Sequence, residues 1–125
     1  MFRRVWRWAG TFRTTARNIG VDASQINISA QQLIGNARYW IEHGTFSADE
    51  IFARLHHRLV QIHCFPNGNG RHARAITDLA MLRHSAKLFT WGQSIAGENA
   101  RRAYIASLQA ADAGDFAALL VFVRQ

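Results

Sequence analysis

The chain has 125 residues, which is the length of one domain. Hydrophobic residues make up 49% of it and charged residues 18%, so the chain can bury a core and is not globally disordered. No stretch reaches the roughly 18 apolar residues of a membrane-spanning helix, and the start lacks the apolar centre of a secretory signal. The single cysteine, Cys64, excludes an intrachain disulfide and a thiolate metal cage. We therefore expect one soluble, cytoplasmic domain.

The charge balance is strongly basic. Lys and Arg number 15 against 8 Asp and Glu, for a net charge of +7, and Lys87 is the only lysine. The planar fork of arginine grips phosphate with two parallel hydrogen bonds, although a GC-rich genome would also favour arginine. Phosphate, on a nucleotide or on a nucleic acid, is the ligand class that the composition raises.

The first elements along the chain are an extended segment and a helix. Residues 10–21 are β-branched and polar without a helical stripe, which predicts a short hairpin. Residues 31–43 carry apolar side chains on one broad side and precede Gly44, so we expect a helix with a glycine stop.

A capping-box sequence starts the next helix. Ser47 can accept from the amide of Glu50, whose carboxylate can reach back to the amide of Ser47. The helix is predicted to run to His63. Its apolar positions are spaced to form one buried stripe, consisting of Ile51, Leu55, Leu59 and Ile62.

Three more helices are predicted after a glycine-rich break. Residues 71–84 are rich in alanine and carry two overlapping apolar lines, which are Ala73, Ile76, Ala80 and Ile76, Leu79, Leu82. Residues 98–111 and 115–123 form a helix pair, with Asp115 as an N-cap carboxylate. The fold class is therefore all-α, with one small hairpin.

The segment HCFPNGNGRHAR, residues 63–74, carries the chemistry. It places an imidazole at a helix end, then a glycine-containing loop, then a helix start with Arg71 and Arg74. Unpaired amides at a helix N-terminus and the helix dipole favour an anion, and Gly68 and Gly70 allow close approach of a phosphate. His63 could accept a proton from an attacking hydroxyl, since imidazole titrates near neutral pH.

These residues resemble the signature of Fic (Fido) proteins, His-x-Phe-x-Asp/Glu-Gly-Asn-Gly/Lys-Arg-x-x-Arg. The segment WRWAGTFR, residues 6–13, is similar to the stretch that precedes the family's target-holding hairpin. With Pro66-Asn67 the motif looks most like the Fic branch called mobile mystery protein B. The resemblance implies one Fic domain over residues 1–125 that lacks the family's N-terminal helix, and a helical bundle with a β-hairpin flap around a helix-loop-helix active site.

The resemblance also implies an activity, protein adenylylation. His63 would be the catalytic base that deprotonates a Ser, Thr or Tyr hydroxyl of a target protein, which then attacks the α-phosphate of ATP. The phosphates of the nucleotide would be held by Gly68, Asn69, Gly70, Arg71 and Arg74. An inhibitory antitoxin partner and a toxin-like role on a mobile element belong to the same expectation.

Two further parts of the site follow from the resemblance. Thr14, Thr15 and Arg17 would lie in the flap that binds an extended segment of the target. Asn67 stands where the transferase pattern has a carboxylate for Mg²⁺, which proteins usually hold with one or two carboxylates together with substrate phosphates. We therefore expect weak Mg²⁺ binding that depends on ATP, and slow transfer.

Alternative functions remain open. The family also contains other phosphate-group transferases, and a member can lose catalysis while it keeps a nucleotide pocket. A basic nucleic-acid-binding module is a rival from another class, although a solvated face explains Arg3, Arg4, Arg7 and Arg13 more simply. His56 and His57 should point to different sides of their helix, which argues against a shared metal. The tryptophans are expected to be core or interface residues, and no membrane partner is expected.

Overall fold

The computed structural model describes residues 26–62 and 69–125, and these residues form five helices. The bounds are α1 Ile26–His43, α2 Ala48–Ile62, α3 Asn69–Arg83, α4 Gly97–Asp112 and α5 Ala117–Val123. The predicted all-α class is confirmed, and the described ranges contain no strand. The hairpin predicted over residues 10–21 lies outside them. None of the described helices combines the length and apolar character that crossing a membrane requires.

The first helix begins five residues earlier than predicted and ends where predicted. Gly44 adopts a left-handed backbone with φ of 58°, and the amide of Thr45 donates to the carbonyl of Trp40 at 3.3 Å. This six-residue closure satisfies one of the last carbonyls of α1, and glycine is the residue that adopts such a backbone without steric cost.

The N-terminus of α2 uses one half of the predicted capping box. The amide of Glu50 donates to Ser47 Oγ at 3.2 Å, as predicted. The Glu50 carboxylate, however, accepts from Arg54 Nε at 3.1 Å, so among the described hydrogen bonds it does not return to the amide of Ser47. A charged partner one turn ahead offers a stronger, charge-assisted bond than a backbone amide.

Helix α2 lies at the centre of the fold and packs against α1, α3 and α5. Its predicted stripe is confirmed, because all four members are buried: Ile51, Leu55, Leu59 and Ile62. Burying a side chain of this size stabilises a fold by about 2 kcal/mol. This helix therefore forms the centre of the core, and its packing positions α3 against it.

Helix α3 buries a different line than one of the two predicted. Ala73, Ile76 and Ala80 are buried, as expected, but Leu79 is 40% exposed and Leu82 is 59% exposed. Thr77 and Met81 complete the buried face, and these five positions follow the spacing of a single helix face. The Thr77 hydroxyl donates to the Ala73 carbonyl at 2.7 Å, which removes the cost of burying a polar group there.

Helices α4 and α5 pack against each other and are joined by a short turn. Asp115 accepts a hydrogen bond from the amide of Ala117 at 3.0 Å, so its carboxylate serves the start of α5, which begins two residues later than predicted. After α5, Arg124 donates to Asp49 at 2.8 Å and to the Leu88 carbonyl at 2.8 Å. The hydrogen bond from Arg124 lowers the pKa of Asp49.

The loop before α4 is held by backbone hydrogen bonds to the last residue of α5. The amides of Thr90 and Trp91 donate to the Val123 carbonyl at 2.8 and 3.1 Å. Gly92 has φ of 73°, and a Cβ atom there would lie 2.5 Å from Cε2 of Phe122. This close approach seats the loop on α5 and fixes the backbone that carries Trp91.

Candidate functional site

The corner between α2 and α3 contains the motif of residues 63–74. Helix α2 ends at Ile62 and α3 begins at Asn69, so residues 63–68 join these two helices in the sequence. Several predicted site residues lie outside the described part of the chain: His63, Asn67, Gly68 and the flap residues Thr14, Thr15 and Arg17. Their roles stay predictions.

The first two turns of α3 bring together the remaining predicted phosphate-binding residues. Asn69 is the first residue of the helix, Gly70 follows it, and Arg71 and Arg74 lie within the first two turns. Arg71 is exposed, whereas Arg74 is half-buried. The first amides of a helix have no partner within it and carry its positive end, so this is where an anion is favoured. The helix starts two residues earlier than predicted, so its first four amides are those of residues 69–72 rather than 71–74.

Arg74 is packed against two aromatic rings from distant parts of the chain. Its Cζ lies 4.7 Å from the ring centroid of Tyr104 on α4 and 5.6 Å from that of Trp91 in the preceding loop. A guanidinium at these distances is attracted to the ring faces. Its Nε is buried and has no hydrogen-bond partner in the part of the chain that the structure describes. The rings therefore restrict the orientation of this cation.

His56 supports this arrangement from the core. Its Nε2 lies 2.9 Å from the Tyr104 hydroxyl, and its ring lies 4.6 Å from that of Trp91. Burial lowers the pKa of His56 to about 3; the Ala73 carbonyl raises it, and the charge of Arg74 lowers it further. The ring is therefore neutral at ordinary pH.

Trp91 is fixed through α3 as well. Its indole Nε1 donates to Asp78 at 3.0 Å, and Asp78 lies one turn after Arg74. Burial raises the pKa of Asp78, while the Trp91 hydrogen bond and the Arg74 charge lower it. Sequence reasoning gave no role to Tyr104 or Asp78. Tyr104 lies thirty residues after the motif and Asp78 four residues after it, and neither belongs to a recognisable sequence pattern.

A different environment lies on the other side of α2. His57 Nε2 is 2.8 Å from the Asp112 carboxylate, which also accepts from Gln61 at 3.1 Å. A cavity of about 370 Å³ opens between α1, α2 and Phe116; its polar lining includes Gln32, Asn36, Arg54, His57, Arg58 and Gln61. The prediction that His56 and His57 face different sides is confirmed. Within the described ranges, no three His, Cys, Asp or Glu side chains form a metal-binding group.

The described tryptophans pack as predicted. Trp40 makes an edge-on contact with Phe46 at 5.6 Å and lies against the core, and Trp91 packs edge-on against Phe89 at 5.2 Å. Trp6, Trp8 and the arginines of the expected basic face lie outside the described residues.

The described residues thus form a helical domain in which the start of α3 favours an anion and carries two arginines. One of them, Arg74, lies beside the rings of Tyr104 and Trp91. The model of the Fic/DOC family matches residues 1–81, well over half of the chain, and the chain belongs to that family. The solved structure of Fic-1 from C. elegans superposes with a TM-score of 0.63 at 27% identity. It covers 90% of this chain but only 32% of that one, so this chain spans about a third of its neighbour. A comparison with curated proteins finds no match.

Proposed function

We propose that this protein is a Fic-type adenylyltransferase, which transfers AMP from ATP to a hydroxyl side chain of a target protein. Membership of the Fic/DOC family and the likeness to Fic-1 support a transferase of this kind. The observation that carries the proposal is the start of α3, where the first helix amides, Arg71 and Arg74 come together within the motif of residues 63–74. ATP, as its magnesium complex, is the substrate, and the protein acts in the cytoplasm.

In this proposal each motif residue has a defined task. His63 takes the proton of the target hydroxyl, whose oxygen forms a bond to the α-phosphorus of ATP. The bond from that phosphorus to the bridging oxygen breaks, and pyrophosphate leaves. Gly68, Asn69 and Gly70 hold the phosphates, and Arg71 and Arg74 neutralise their negative charge. Thr14, Thr15 and Arg17 hold an extended segment of the target beside the site.

The branch and the transferred group are parts of the same proposal. The resemblance of Pro66-Asn67 to the mobile mystery protein B branch supports placing the chain there, and with that branch we propose a toxin-like role and an inhibitory partner. Gly70 stands where relatives that bind the nucleotide in reverse tend to carry lysine, which favours AMP over another phosphate-containing group. A nucleotide-binding protein without transfer remains the alternative.

The decisive experiment is mass spectrometry of products after incubation with ATP and Mg²⁺. We expect the wild type to gain the mass of AMP on itself or on a bacterial lysate protein, and His63→Ala to gain none, because the base is lost. His43→Ala is the matched control, since His43 is an exposed histidine at the end of α1. Transfer that persists in His63→Ala would overturn the mechanism. Salt-sensitive nucleic-acid binding without transfer would favour the rival function.

Asn67 offers a test of the metal chemistry. Asn67→Asp should raise auto-modification with labelled ATP about tenfold, because a carboxylate binds Mg²⁺ more strongly than a neutral amide. The measurement is the initial rate at several Mg²⁺ concentrations, with Asn36→Asp as a control at an exposed asparagine on α1. An unchanged or lower rate would show that this branch does not use position 67 for the metal.

A further inference from the structure

The surroundings of Arg74 carry an inference about a residue outside the motif. Tyr104 lies in the middle of α4, thirty residues after Arg74. Its ring faces the guanidinium, its hydroxyl bonds to His56, and a Cβ atom on Gly70 would lie 3.7 Å from the same hydroxyl. One side chain thus contacts the arginine and the buried histidine and lies close to the backbone of the first turn of α3.

We propose that Tyr104, held by His56, is a positioning residue that fixes the guanidinium of Arg74 beside the start of α3. The inference rests on the proposed function, in which Arg74 meets the phosphates of ATP. Without the two rings, the long side chain would be free to adopt many rotamers, and ordering it on binding would cost affinity. With them, the cation is oriented before the nucleotide arrives.

The hydrogen bonds fix the position of the tyrosine itself. A neutral imidazole has one nitrogen that accepts and one that donates. Nε2 of His56 lies 2.9 Å from the Tyr104 hydroxyl, and the tautomer of the ring decides which of the two donates. Burial raises the pKa of Tyr104, and the charge of Arg74 and its hydrogen bond to the hydroxyl offset only part of that rise. The tyrosine is therefore held from both sides.

Trp91, the second ring beside Arg74, is held by contacts of its own. It is fixed by its indole bond to Asp78 and by the Val123 carbonyl. Because both rings have their own anchors, removal of the hydroxyl alone should loosen the Tyr104 side and leave Trp91 in place. The hydroxyl is the atom to delete in a test.

The experiment is a double-mutant cycle of Tyr104→Phe and Arg74→Ala. Binding of Mg-ATP is measured by calorimetry, and KM and kcat are measured by auto-modification. We expect Tyr104→Phe to weaken binding and raise KM about tenfold with little change in kcat. In the Arg74→Ala background the same change should have almost no further effect, because Tyr104 acts through Arg74.

The controls separate this inference from a general loss of structure. Tyr39→Phe removes the hydroxyl of a tyrosine that is 56% exposed on α1, and it should leave both constants unchanged. Circular dichroism identifies the temperature at which every variant is folded. His56→Gln, whose side-chain amide can accept from the hydroxyl or donate to it, should rescue most of the affinity that His56→Ala loses. Effects of Tyr104→Phe and Arg74→Ala that multiply, or an unchanged affinity in Tyr104→Phe, would overturn the inference.

The outcomes also distinguish the two proposals. If the wild type binds Mg-ATP but transfers nothing, the transferase proposal fails, and the binding cycle still decides the role of Tyr104. If the wild type does not bind Mg-ATP, both proposals fail. If transfer occurs and depends on His63 while Tyr104→Phe behaves as the wild type, only the positioning role is wrong.

Discussion

Two neighbouring histidines on α2 have opposite surroundings. His56 is fully buried and contacts Tyr104 and Trp91, on the side of the helix that faces the motif. His57 borders a cavity and pairs with Asp112, whose side chain is 58% exposed. Successive residues of a helix are about 100° apart, so the same side chain enters two environments.

The difference shows how an identical residue acquires a different task from its position alone. On the His56 side the polar contacts are few and buried, so the loss of one partner is costly and each contact that is made fixes an orientation. On the His57 side water can replace a lost partner. Substitutions around His56 should therefore lower the free energy of unfolding strongly and alter the position of Arg74. Substitutions around His57 should lower the free energy of unfolding only slightly.

The largest expected difference is in the pH dependence of stability. The folded protein keeps His56 neutral down to a pKa of about 3, whereas in the unfolded chain its pKa returns to about 6.5. As pH falls below 6.5 the unfolded chain gains a proton that the folded state does not, so the free energy of unfolding decreases. Between pH 6.5 and about 4.5 this histidine should account for about 2 kcal/mol.

Urea unfolding at several pH values measures this effect. His56→Gln should remove that part of the decrease, since glutamine does not titrate, and His57→Gln should retain it. An equal decrease in both variants would show that the two sides of α2 do not differ in this respect.

A smaller effect is expected when the partner of His56 is changed. Tyr104→Phe leaves Nε2 of a buried histidine without its hydroxyl partner, which should lower the free energy of unfolding by about 1–2 kcal/mol. Thermal and urea unfolding at pH 7 measure it, with Tyr39→Phe as the exposed control. A loss no larger than that of the control would mean that the buried bond contributes little.

The smallest effect is expected on the His57 side. Asp112→Asn retains a carbonyl oxygen that can accept from Gln61, and water reaches the site, so the free energy of unfolding should change by about 0.5 kcal/mol or less. The same unfolding assay applies, compared with Tyr104→Phe. A loss of several kcal/mol would contradict the view that this side tolerates exchange of its partners.

Much of the fold could be predicted from the local sequence. The stripe on α2, the glycine stop at Gly44 and the cap at Ser47 all depend on residues within a turn or two of each other, and all three are present. The exposed Leu79 and Leu82 were not predicted, because two overlapping apolar lines on α3 satisfy the same periodicity. Only the packing partners of the helix decide which line is buried.

The candidate site likewise contains a part that local sequence predicts and a part that depends on contacts between distant segments. The motif predicted that Gly70, Arg71 and Arg74 gather at a helix start, since these residues are close in sequence. Tyr104 and Asp78 could not be predicted. Their contacts with His56 and Trp91 join segments that are 13 to 48 residues apart in the chain.

The anchoring of the Trp91 loop has a consequence for how the protein is made. The amides of Thr90, Trp91 and Ser94 donate to carbonyls of residues 123–125. The loop therefore cannot form these three hydrogen bonds until those residues have left the ribosome. Helices α2 and α3 are adjacent in the sequence and can pair earlier during synthesis. A nascent chain would thus display the motif before the Trp91 ring beside Arg74 is anchored, and residues 123–125 would complete that anchoring.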